Sequence, residues 1–195
     1  MKKVYAILIA LCCVISINAQ EKNNYKKFAG GFELGSDFGS RIFGIHVGGT
    51  ARYGHYSNLF NLTAGINFNL NQAYHGQDEV IEYHARASTI GGQLTIPVIA
   101  KFNVLKCTER ARFYVGAGAE AGFKIYAKDL YFDWDYKYYS VMNKFSIAGL
   151  LQAGVAGARF DAGIYYKHYF NDLVHDKFPG YQQRGRIGFN LAYYF

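Results

Sequence analysis

From Phe28 onward the chain alternates apolar residues with small or polar ones at a period of two, in segments of about ten or more residues. No other feature narrows the fold as much. A period of two sends successive side chains to opposite faces of a strand, so each segment carries one apolar and one polar face. In residues 60–70, Phe60, Leu62, Ala64, Ile66, Phe68 and Leu70 alternate with Asn61, Thr63, Gly65, Asn67 and Asn69. The pattern recurs at 28–36, 41–53, 87–104, 112–126, 143–156, 159–170 and 184–195. That makes eight segments, an even number, as a small antiparallel meander needs to close into a barrel.

Alternation alone does not say which face meets solvent. One face is apolar and aromatic throughout, and the other is Gly, Asn, Thr and isolated charges of both signs. Small residues suit a crowded interior, and scattered charges can pair across a narrow lumen where unpaired ones are costly. The expected fold is therefore all-β: an eight-stranded antiparallel transmembrane up-and-down barrel whose apolar face meets lipid. The expected lumen charge network is Glu33, Arg52, Lys101, Arg112, Glu120, Lys124, Arg159 and Asp161. Strands of about ten residues tilted near 45° span the hydrocarbon layer. The connections agree: 71–86, 127–142 and 171–183 are long (37–40 is short), while those on the other side, 54–58, 105–111 and 157–158, are all short. Pro97 interrupts the fourth segment, lacks an N–H, and is expected at a bulge or bend.

Composition excludes the other classes. Aromatics make up 18% and charged residues only 18%, unlike a disordered chain. Beyond the first twenty positions no apolar run is long enough for a membrane helix. Residues 1–19 have the parts of a cleaved signal peptide: Lys2 and Lys3, an apolar stretch from Val4 to Ile15, and a short region ending at Ala19. Residues 20–27 form a polar segment and 28–195 the barrel domain. Lipoprotein processing needs a small residue before the modified Cys, and Leu11 precedes Cys12. Loss of the leader leaves Cys107 as the single thiol, so no intrachain disulfide forms. The net charge of +7 would fall to +5 without Lys2 and Lys3, and it contains no basic run, so nucleic acid is not an expected partner.

Residues 94–103, LTIPVIAKFN, and 113–126, FYVGAGAEAGFKIY, resemble the PorT-like outer-membrane β-barrel family. Ile96, Pro97, Lys101, Phe102, Tyr114, Val115, Gly116 and Gly118 match its pattern. The last segment is similar to the assembly signal of outer-membrane barrels at Phe189, Leu191, Tyr193 and Phe195. The resemblance implies an eight-stranded barrel in the outer membrane of a diderm bacterium, inserted by the barrel assembly machinery. Outer-membrane lipids and lipopolysaccharide are its expected surroundings. It implies no activity, since fold does not fix function.

Little else points to chemistry. Gly116-x-Gly118-x-x-x-Gly122 has the wrong spacing for a nucleotide loop and no following helix. The six histidines show no helical i, i+4 pair and no Cys partner, so no metal or other cofactor is expected, with loop ligation by His75, His84 and His175 as the lesser alternative. His168 has outward parity, as a lipid-modifying enzyme would require, but Ser146 has inward parity and Ser140 lies in a loop. No catalytic residue is assigned. Loop 129–140 combines acids with Tyr131, Phe132, Trp134 and Tyr136, a composition suited either to a contact surface or to a plain hairpin extension. The expected role is structural or surface-interacting, through long loops toward an unidentified ligand or protein, with no open pore. A secreted lipocalin-like carrier of an apolar ligand and an outer-membrane lipid-modifying enzyme are the alternatives.

Overall fold

The computed structural model describes residues 28–39, 42–75, 87–108, 110–130, 144–171 and 184–195. The expected leader 1–19, the segment 20–27, Ser140 and the loop residues Tyr131, Phe132, Trp134 and Tyr136 lie outside the described residues. The strands are β1 (Phe28–Phe38), β2 (Ile42–Tyr53), β3 (Phe60–His75), β4 (Ala87–Thr108), β5 (Ala111–Leu130), β6 (Phe145–Gly157), β7 (Phe160–Tyr169) and β8 (Gly185–Tyr194). Each pairs antiparallel with the next, and β8 returns to β1 from Gly31↔Tyr194 to Phe38↔Ile187. The sheet is a closed eight-stranded barrel, and closure leaves no edge strand along the shared ladder.

The period of two decides the two surfaces. On β8, Ile187 is 64% exposed while its neighbour Arg186 is 1% exposed. Leu34, Val47, Leu62, Val98, Val115, Leu151, Ile164 and Leu191 all lie on the outside. The inside holds Asn, Gln, Thr, Tyr and ionised side chains, with few apolar ones such as Ala148, Leu150 and Ala192. Hydrophobic burial of the usual kind is thus largely missing from the centre, and polar pairing takes its place.

The structure extends four strands beyond the sequence expectation, β1 among them. β3 continues to His75, β4 to Thr108 and β5 to Leu130. Residues such as Asn71, Gln72 and Lys128 end the apolar alternation but still contribute backbone to the ladder, as in Gln72↔Ile90 and Ile90↔Lys128. Asp37, expected in a connection, is the tenth residue of β1 and pairs with Gly44. Pro97 sits at no bulge. It keeps register with Glu120 on β5, and the β3–β4 ladder simply lapses between Ala64↔Val98 and Asn67↔Thr95. The missing N–H is absorbed as a gap beside Gly65 rather than as an inserted residue. The bulges lie elsewhere in the β4–β5 pair, at Gly92/Gln93, Asn103/Leu105 and Lys106/Thr108.

Two glycines show how tightly the interior is filled. Tyr114 is fully buried, in register with Gly154, which is in turn in register with Gly163. A Cβ on Gly154 would run into the Ala162 carbonyl oxygen and lie 2.9 Å from the Tyr114 hydroxyl. The glycines make room for the phenol, so overpacking here cannot be relieved by a rotamer change. Gly154→Ala is expected to lower unfolding stability in detergent by about 1–3 kcal/mol, read as a drop in the urea midpoint relative to Ala153→Gly on the opposite face.

Candidate functional site: the charged lumen

The ionised lumen residues gather in two groups at different heights. Near the short turns, Asp161 on β7 is fully buried and receives three donors. Arg52 on β2 approaches at 3.2 Å, Lys101 on β4 at 2.9 Å and the Tyr194 hydroxyl on β8 at 3.2 Å. Arg52 also donates to the carbonyl oxygens of Gly157 (2.9 Å) and Ala158 (2.8 Å), tying the β6–β7 turn to the lumen. Its guanidinium lies over the Tyr194 ring at 4.3 Å, and the Lys101 ammonium over Tyr114 at 4.6 Å.

Toward the long-loop end, Asp37 on β1 accepts from Arg186 on β8 at 2.9 Å and lies 3.6 Å from Lys167 on β7. Lys167 pairs with Glu120 on β5 at 2.7 Å. Arg186 also donates to the Asn71 side-chain oxygen at 2.7 Å, and its guanidinium faces the Tyr169 ring at 5.0 Å. Between the groups, Glu33 accepts from Asn67 at 3.2 Å and faces His46 Nε2 at 3.4 Å. Nε2 forms no hydrogen bond, so the second contact is one of proximity. Neutral pairs fill the remaining height: Asn69 to Thr95 at 2.6 Å, Gln93 to Ser146 at 2.5 Å and Gln152 to Asn190 at 2.6 Å.

The two groups and Glu33 together set Arg52, Lys101, Lys167 and Arg186 against Glu33, Asp37, Glu120 and Asp161. The charges balance in number, four against four, as burial at these depths favours, because one unmatched buried ion costs several kcal/mol. Asp37, Glu120 and Asp161 take the ion pairs with the four cations, while Glu33 faces His46. A cavity of about 20 Å³ lies among Glu33, His46, Asn67, Glu120, Gln152 and Lys167, room for about one water molecule.

Of the eight charges expected to form one network, Glu33, Arg52, Lys101, Glu120 and Asp161 line the lumen in these contacts. Arg112 and Arg159 enter none of the ion pairs among the described residues. Arg112 has inward parity but lies near the mouth beside Ala156, and Arg159 belongs to the exposed β6–β7 turn. Lys124 is half-buried beyond Phe123, where its backbone N–H donates to Lys144, and it enters neither group. Asp37, Lys167, Arg186 and His46 join the lumen contacts without belonging to the expected network. Inward parity was visible for the last three, but parity gives the face and not the height.

The chemistry weighed from sequence finds these surroundings. His168 is half-buried beside Gly149, its Nδ1 3.4 Å from the Tyr166 hydroxyl, while Ser146 points inward to Gln93. His84 and His175 lie outside the described residues. At the last strand, Phe189, Leu191, Tyr193 and Phe195 are exposed on the outer wall, with Tyr193 against Phe32 at 5.8 Å between ring centres.

The fold and lumen together define a class: a closed eight-stranded antiparallel barrel with an ionised interior and an apolar exterior. No protein-family model matches the chain, and no curated protein sequence matches it. Among solved structures the chain is similar to the attachment invasion locus protein Ail of Yersinia pestis, solved with the heparin analogue sucrose octasulfate. The TM-score is 0.39 at 12% identity, covering 86% of this chain and 96% of that one.

The Asp161 cluster is testable. Asp161→Asn leaves Arg52 and Lys101 facing each other without a carboxylate, and a loss of about 3 kcal/mol is expected from the unfolding midpoint in detergent. Adding Lys101→Met to that variant is expected to recover part of the loss. A single variant as stable as the parent would show that the three groups are not coupled.

Proposed function

We propose that the protein is an integral outer-membrane barrel of a diderm bacterium, PorT-like in type, that serves as a non-enzymatic surface-interaction scaffold without an open pore. The observation that carries this reading is the outer wall. Leu34, Val47, Leu62, Val98, Leu151, Ile164 and Leu191 form an aliphatic belt, interrupted by Phe68 and Phe189. Aromatic pairs flank it: Phe38–Phe43 and Phe123–Phe145 toward the long loops, Phe60–Phe102 toward the short turns. Such girdles suit the two interfaces of a bilayer. The eleven residues of β1, at about 3.3 Å each and tilted near 45°, rise about 25 Å, the height of an outer-membrane apolar band.

The lumen supports the second half of the proposal. Paired charges and a cavity of about 20 Å³ among the described lumen residues support a sealed interior. They also disfavour a lipocalin-like carrier, which needs apolar side chains around its ligand. In the proposed role, lipids and lipopolysaccharide contact the outer wall, the assembly machinery reads the last strand, and the surface loops meet a ligand or protein. The Ile96-Pro97 and Gly116–Gly118 segments support the PorT-like assignment.

The test is fractionation of the full chain expressed in a diderm host, followed by reconstitution. The protein is expected in the detergent-resistant outer-membrane fraction, migrating faster on a gel before boiling than after, and silent in planar bilayers. Recovery as a soluble periplasmic protein would overturn the membrane reading. Steady ohmic conductance would overturn the sealed lumen.

A further inference from the structure

Two neighbouring turns at the short-turn end carry a cluster of cations that the lumen network does not use. Ala111 is in register with Gly157, so the β4–β5 and β6–β7 turns lie side by side. The first hairpin carries Lys106, Arg110 and Arg112, and the neighbouring turn carries Arg159. Lys106 and Arg112 are direct cross-strand partners, so two like charges share one face of the hairpin. That arrangement is unfavourable unless an anion sits beside it. None of the four forms an ion pair among the described residues. Glu109 is the one acid of this hairpin turn in the sequence, so the four cations exceed it by three.

The surroundings point to the anion. The outer wall directly next to the turns is apolar: Val104, Leu105, Val115 and Phe160 are all exposed. Arg110 and Arg159 stand in exposed turns at that border, where acyl chains give way to headgroups, while Lys106 and Arg112 lie beside them on the inward-parity side of the mouth. The β6–β7 turn is held from within by Arg52 through the Gly157 and Ala158 carbonyls, so part of the site is pre-ordered.

We propose that Lys106, Arg110, Arg112 and Arg159 form a binding site for the phosphodiester headgroups of anionic phospholipids in the leaflet at the short-turn end of the barrel. Arginine supplies planar, paired donors to phosphate, and lysine a point charge. The site fixes the depth of the barrel in its bilayer and favours acidic lipid around one rim. This rests on the membrane reading above.

The test places the full chain in nanodiscs of phosphatidylcholine, with and without phosphatidylglycerol. Lipids retained on release are identified by native mass spectrometry, and the thermal midpoint is recorded in both discs. The parent protein is expected to retain phosphatidylglycerol selectively and to melt several degrees higher with it, the difference shrinking in high salt. The variant Lys106→Gln, Arg110→Gln, Arg112→Gln, Arg159→Gln is expected to enter the discs equally well and to lose both preferences. A parent that enters without preference, or a variant that keeps it, overturns the headgroup site alone. A chain that enters neither disc overturns the membrane reading and this site with it.

Discussion

A carboxylate with no exposure to solvent, Asp161, is the point on which the lumen is organised. It draws Arg52 from β2, Lys101 from β4 and Tyr194 from β8 to one place on β7. Arg52 and Asp161 are 109 residues apart in sequence, so the contact exists only once the sheet has curled round. Asp37 does the same work at the other height, binding Arg186 from β8 and facing Lys167 from β7. A barrel whose exterior is apolar cannot gain stability by hiding that exterior from water within itself. Its cohesion comes from the backbone ladders and from these charge-assisted contacts, which are strong because the medium around them is poor in water.

The same arrangement accounts for the small residues of the inner face. Tyr114, Tyr165, Tyr169 and Tyr194 are buried and bring bulky rings beside the ionised groups. Their rings lie near cations, with Arg186 over Tyr169 and Arg52 over Tyr194, and the space they take is relieved by glycines such as Gly154 and Gly163. Sequence elements that look unrelated, a run of glycines and a surplus of tyrosines, are two halves of one packing solution.

Much of this was legible in the sequence because a period of two survives any detail of geometry. Phe60 to Leu70 assigns its own faces, and so does Arg186 between Gly185 and Ile187. Which charges meet was not legible. Strands in a barrel are tilted and staggered, so inward residues of neighbouring strands share a height only through the register. Arg112 faces inward yet finishes beside Ala156 near the mouth, whereas Lys167 reaches Glu120 two strands away. Asp37 was hidden differently: Gly35, Ser36, Gly39 and Ser40 around it give a turn-like composition, and only the pairing with Gly44 shows that the strand continues. Pro97 signalled a bulge or bend, and the missing N–H is met by a local lapse in one ladder at no change of register.

The most direct measurement is nuclear Overhauser transfer from lipid acyl-chain protons to the assigned protein in nanodiscs. Transfer is expected at the side chains of Leu151, Ile164 and Leu191 and absent at their inward neighbours Gln152, Tyr165 and Asn190. The inverse pattern, or no transfer to either set, would contradict a barrel that shows its apolar side chains to lipid and keeps its ions within.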